Sequence, residues 1–109
     1  MKVKKLLSAN FKHFIEFIEN KNEQNIWMIK CRGFAQIEAL TDQNFSEYDG
    51  INFGHLAREE YFVITLRYLP IIHKSMRIRF RNRLFTIKRI INPSELNHIL
   101  KIIAQEITE

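Results

Sequence analysis

Residues 76–81 read Met76-Arg77-Ile78-Arg79-Phe80-Arg81, apolar and arginine side chains in strict alternation. Successive side chains of a strand point to opposite faces, so this run predicts a strand with Met76, Ile78 and Phe80 inward and three guanidinium groups outward. Asn82 separates it from residues 83–91, a second run rich in β-branched and aromatic side chains. The short gap predicts a tight hairpin around Arg81 to Arg83. Residues 61–68 alternate as well, with Phe62, Ile64, Leu66 and Tyr68 against Tyr61, Val63, Thr65 and Arg67. This predicts a strand buried on at least one face and ended by Pro70.

Elsewhere the period is ambiguous. Phe11, Phe14, Ile15 and Ile18 follow helical spacing while His13, Ile15 and Phe17 line one face of a strand, and the pattern alone favours a helix at 11–18. Residues 20–25 are polar and read as a turn, and 26–40 read as one long or bulged strand. Near the C-terminus Leu96, Ile99, Leu100, Ile103 and Ile107 suit an amphipathic helix, whereas Leu100, Ile102 and Ala104 suit a strand. The Asn92-Pro93-Ser94 break leaves Ser94 or Asn97 to open a turn or cap a helix, and pattern does not choose.

Between these strands, residues 41–59 carry the turn formers Asp42, Asn44, Ser46, Asp49, Gly50, Asn52 and Gly54, interleaved with Phe45, Tyr48, Ile51 and Phe53. A connection of that length is usually functional or disordered, and four large apolar side chains argue against a plain solvated tether. Phe45 and Tyr48 either fold back on the core or serve a contact outside the chain. With no repeats, low-complexity tracts or Gly-Ser linkers, residues 1–109 are expected to form a single domain. A core of this size gains stability readily from partners that bind only the folded form.

The formal net charge of +5 and a pI near 9.6 suggest a polyanionic neighbour, either nucleic acid or an acidic protein surface. Residues 61–94 contain no Asp or Glu yet hold Arg67, Lys74, Arg77, Arg79, Arg81, Arg83, Lys88 and Arg89, so one side of the fold is expected to be basic. Outward arginines two residues apart rise about 6.6–6.8 Å per step, a spacing able to follow a phosphate backbone without reading sequence. The alternative is a solvated β face that protects an edge strand or pairs with acids of a neighbouring subunit.

Other chemistry finds little material. Cys31 stands alone, which rules out an internal disulfide and reads as a partly buried thiol in a reducing compartment. His13, His55, His73 and His98 lie far apart without metal-ligand spacing, and no glycine-rich phosphate loop is present, so neither metal nor cofactor is expected. Glu59 and Glu60 are adjacent, which on a strand sends them to opposite faces, unsuited to paired acid-base work. No motif marks a nucleophile with its base, and the expectation is a protein that is not an enzyme and takes no small-molecule substrate. The basic start is interrupted by Asn10, Lys12 and His13 before a signal-peptide core could form, and no run of about 18 apolar residues is long enough for a membrane span.

In order and spacing the second half resembles the phage head-tail joining protein family. The residues that carry the likeness are Tyr61-Phe62-Val63-Ile64-Thr65-Leu66-Arg67-Tyr68, Ser75-Met76-Arg77-Ile78, Asn82-Arg83-Leu84-Phe85-Thr86-Ile87 and Ile91-Asn92-Pro93. The likeness continues into Ile99 to Glu106 and reaches back through Trp27 and Ala35-Gln36-Ile37. The chain departs from the family in having Asn82-Arg83 where glycine is usual in the hairpin, and Ala104 where cysteine is common.

The resemblance implies a mainly β fold, a small antiparallel β-barrel of about six strands with a long loop and room for a short helix at 54–59. It also implies strands at 11–18 and 98–106, against the helical spacing of the first. The implied role is mechanical: a head-closure subunit of the virion connector, assembled in the host cytoplasm, that forms a ring under the portal protein, continues the DNA channel and receives the tail-completion proteins. Phe45, Tyr48, Asp49 and Phe53 would lie on the loop that contacts neighbouring subunits or projects into the channel, and Arg77, Arg79, Arg81 and Arg83 could face DNA. A second reading stays open, a single-strand nucleic-acid-binding barrel resembling an OB-fold, using those arginines with exposed aromatics such as Tyr61 or Tyr68.

Overall fold

Alternating side chains need a sheet with a shielded face, and here the sheet shields itself by closing. The computed structural model of the protein describes residues 10–21, 25–40 and 61–108. Within them run β1 (His13–Lys21), β2 (Ile26–Ala39), β3 (Tyr61–Arg67), β4 (Arg77–Phe80), β5 (Arg83–Ile91) and β6 (Ile99–Ile107). They form a closed antiparallel barrel in the order β1-β2-β3-β6-β5-β4. The family-implied barrel of six strands is therefore present, and 26–40 is one bulged strand as its composition predicts.

The core takes alternate residues from every strand. Ile15, Phe17, Ala35, Ile64, Leu66, Ile78, Phe80, Phe85, Ile87, Leu100, Ile102 and Ala104 fill the barrel, with Ile72 and Met76 closing in from the β3–β4 connection. A second buried group, Leu40, Tyr61, Val63 and Ile103, lies on the opposite side of β3 and β6, where Val63 and Ile103 are direct cross-strand partners. These two strands are thus buried on both faces, which explains their near-continuous apolar runs.

The helical spacing at 11–18 is overruled. β1 sends Ile15 and Phe17 into the core at strand spacing, and its edges are hydrogen-bonded to β2 on one side and β4 on the other. Ile18 mimics a helical partner of Ile15 because both are buried, although Ile18 lies on the outer face of β1 opposite Arg77. Tertiary pairing outweighs a period read over only two turns. The segment left open at the C-terminus is likewise a strand, β6, preceded by a single 3-10 turn at Pro93–Glu95. Asn92 makes no side-chain cap there; instead its side-chain oxygen accepts from the Asn97 amide at 3.1 Å, clasping the turn.

The β4–β5 hairpin has a two-residue turn, Arg81-Asn82, with Arg81 at φ 58°. Left-handed backbone is costly for a residue bearing Cβ and natural for glycine. Arg81→Gly is therefore expected to stabilise the chain by about 0.5–1 kcal/mol, read as a raised urea midpoint. Phe85, fully buried and edge-to-face with Phe62 at 5.5 Å, marks the opposite extreme. Phe85→Ala is expected to cost about 3–5 kcal/mol in the same measurement.

Candidate assembly interface

The arginine run divides by position. Arg77 and Arg79 leave the outer face of β4 while Ile78 and Phe80 enter the core, as alternation predicts. Arg79 stands opposite Glu16 of β1, and Glu16 stands opposite Arg32 of β2, so a carboxylate sits between two guanidiniums across three strands. The Arg79–Glu16 contact is 2.7 Å and the Arg32–Glu16 contact 3.3 Å. Arg77 lies over the Trp27 ring at 4.4 Å, and Arg81, in the turn, over Phe80 at 4.9 Å.

Arg83 departs from the group. It pairs across the ladder with the core residue Phe80, so it takes an inward position at the end of the barrel. There it makes a two-pronged contact with Glu106, at 2.9 and 3.0 Å, and lies over the rings of Phe62 and Phe85. Sequence alternation could not show this, because the turn resets which parity faces inward. The ladder is thus two outer-face arginines, one turn arginine and one barrel-end ion pair.

Apolar side chains crowd the same outer surface. Phe14 and Phe34 face each other across β1 and β2, ring centroids 5.2 Å apart, and stay 47% and 57% exposed. β1 meets β4 only from Glu16 to Ile18, and β2 meets β3 only from Ala35 to Ala39, so the remainder of the β1–β2 hairpin extends as an arm. Ile26, Met28 and Ile29 are exposed on that arm. Sequence reading did not single these residues out, because exposure depends on where the neighbouring strands stop.

Besides the Arg77–Trp27 contact, the arm is fastened through Glu19. His73 Nε2 lies 2.8 Å from Glu19 Oε2, and Ser75 Oγ lies 2.6 Å from His73 Nδ1. The carboxylate can only accept, so the ring donates from Nε2 while its Nδ1 pairs with the Ser75 hydroxyl. This solvent-facing chain links β1 to the β3–β4 connection. Cys31, on the arm, is a free, half-buried thiol whose pKa is pushed up by burial, with Lys30 opposing more weakly, which leaves it a poor nucleophile. Among the described residues no group of three His, Cys, Asp or Glu is placed to hold a metal ion, and no helix is long and apolar enough to cross a membrane. Phe45, Tyr48, Asp49 and Phe53, with Glu59, Glu60, His55 and the short helix expected at 54–59, lie outside the described residues.

A small antiparallel barrel is what the family likeness implied, and comparison with known proteins supplies the decision. The family model described as phage head completion protein matches residues 6–107. The chain belongs to the phage head completion protein family. That is a family of structural virion proteins, and head completion accords with the head-closure role implied by the sequence. Among solved structures, the solution structure of protein SF1141 from Shigella flexneri 2a is similar at TM-score 0.65 and 14% identity, covering 92% of this chain and 96% of that one. At that identity the likeness concerns the fold. No curated protein matches.

In this head completion protein the Arg32–Glu16–Arg79 row is sensitive to acid. The hydrogen bond from Arg79 is the main cause holding the Glu16 carboxyl below its ordinary range; burial opposes it, and Arg32 adds to it. A depressed folded pKa stabilises the fold fully above the unfolded value, about 4.3, and that contribution is lost as pH falls through the lower folded value. Glu16→Gln is expected to flatten the acid limb of stability against pH in urea unfolding below about pH 4.3. An acid limb identical to that of the parent would show that the row contributes nothing.

Proposed function

We propose that the protein is a ring-forming head-closure subunit: it binds beneath the portal of a filled capsid, extends the DNA channel and offers the surface on which tail-completion proteins dock. The match to the head completion family along residues 6–107 carries this reading. Its workplace is the connector of the virion, reached from the host cytoplasm during assembly, and the whole chain of 109 residues acts as one domain.

The exposed surface supports an assembly role. Phe14, Phe34, Ile26 and Met28 are large apolar side chains open to solvent in the single chain, and covering such a patch favours association. A head-to-tail contact between unlike patches closes into a ring when the rotation fits. Arg77, Arg79 and Arg81 supply non-specific attraction for DNA in the channel, with Arg79 partly neutralised by Glu16. Arg83 is engaged with Glu106 and belongs to the barrel's own stability. Phe45, Tyr48, Asp49 and Phe53 are assigned to subunit contacts or the channel. Tyr61 is buried and Tyr68 is packed against the core, which counts against those two rings as the stacking platform of the OB-like reading.

Native mass spectrometry of the protein alone and with its cognate portal ring tests the proposal. The expected outcome is weak self-association alone and incorporation into the portal complex in one fixed multiple. A protein that stays free of the portal would overturn the head-closure assignment.

A further inference from the structure

Clefts flank the aromatic ridge formed by Phe14 and Phe34. In one, beside Phe14 and Lys12, both arginines are already engaged, Arg79 by Glu16 and Arg81 by the Phe80 ring. The other is a notch where β2 and β3 part, lined by Phe11, Arg32, Gly33, Phe34, Leu66 and Leu69. Ala35 pairs with Leu66, but the next residue of β3, Arg67, pairs with Ile99 of β6 and with no residue of β2.

Along this notch β2 is bonded on one side alone. From Ile26 to Phe34 it pairs with β1, and among the described residues no strand takes its other edge. Such an edge is a row of unpaired amides and carbonyls, a template for another strand. The register skips Lys30, since Phe17 faces Cys31 and Ile18 faces Ile29. A bulge and a lysine guard an edge, so the arm beyond Lys30 is protected, and the regular edge open to pairing runs from Cys31 to Phe34, beside the notch. Gly33 lies in its middle. Glycine weakens a strand, and a bulge, a bend or a close neighbour ordinarily accounts for it. Here Gly33 pairs in regular register with Ile15, its φ lies outside the left-handed region, and a Cβ placed on it would meet no atom within 4 Å. No feature of the described residues requires a glycine there, whereas a strand laid against β2 would bring a side chain of its own beside this bare position.

Charge selects the kind of strand. Residues 26–37 hold Lys30 and Arg32 and no acid. Arg32 shares the single Glu16 carboxylate with Arg79, which is the closer partner, so positive charge is in excess beside the edge. Pairing two β2 edges would bring two basic strands together, and that isologous contact closes as a dimer, so a second copy is a poor occupant. We infer that the notch receives an extended segment of a different protein, added to β2 as a short strand along Cys31–Phe34, with an aliphatic side chain over Gly33 and a carboxylate toward Lys30 and Arg32. This goes beyond the head-closure reading by giving a docked protein a chemistry, and its test needs neither portal nor DNA.

A fluorescein-labelled, end-blocked peptide of alternating valine and glutamate, titrated with the full chain and followed by anisotropy, tests it. Saturable binding with a Kd below about 1 mM is expected, weakened about tenfold by Gly33→Val, which fills the notch, and by Lys30→Glu, which reverses the charge of the edge. Valine suits a strand and enters open space at Gly33, so an unchanged or raised urea midpoint accompanies the loss of binding. N-methylation of alternate peptide amides separates an added strand from loose adhesion: methylating one set abolishes binding and methylating the other leaves it intact. Absence of binding up to about 1 mM would overturn the inference. So would binding indifferent to Gly33→Val, an equal response to the two methylated sets, or equal affinity for a peptide of alternating valine and lysine.

Discussion

Three residue pairs between β1 and β4 turn a curled sheet into a barrel: Glu16 with Arg79, Phe17 with Ile78 and Ile18 with Arg77. The closure matters because it joins strands that lie far apart in the chain, and without it β1 and β4 would be free edges with half their core face open to water. At this seam the interior partners Phe17 and Ile78 are fully buried, while the exterior pair Glu16 and Arg79 forms an ion pair. One short ladder therefore seals the core and sets the electrostatics of the outer surface.

The surface features follow from that seam. Because β4 is short and β1 runs past it, the β1–β2 hairpin continues as an arm whose apolar side chains are covered by no strand among the described residues. Because Glu16 lies between Arg32 and Arg79, positive charge is drawn to both sides of the Phe14–Phe34 pair without mutual repulsion dominating the centre. At the barrel end Arg83 and Glu106 cover Phe62 and Phe85, so an ion pair closes the core where no strand remains. The same side chains that hold the barrel together thereby leave it basic, aromatic and incomplete on one face, a shape suited to a protein that works in an assembly.

The Ser75–His73–Glu19 chain orders donors and acceptors in the manner of a nucleophile and its base, yet it faces solvent and none of the three lines either cleft beside the aromatic ridge. Its evident work is to fasten the arm to the β3–β4 connection.

Strand alternation by itself determined β3, β4, β5 and the hairpin between the last two, most sharply in β4, where a period of two with arginine at every polar step admits one orientation relative to a core. The order and spacing of those strands also carried the family. Pattern misread β1 and left β6 undecided, since Ile15 with Ile18, or Leu96 with Ile99 and Ile103, satisfies either period until neighbouring strands supply the hydrogen bonds that decide. Only the tertiary structure revealed that Arg83 belongs to the barrel end, that Tyr61 is buried, and that Phe14 and Phe34 are not. Sequence records what each side chain prefers; how far each strand is covered depends on where its neighbours begin and end, and that is a property of the closed sheet.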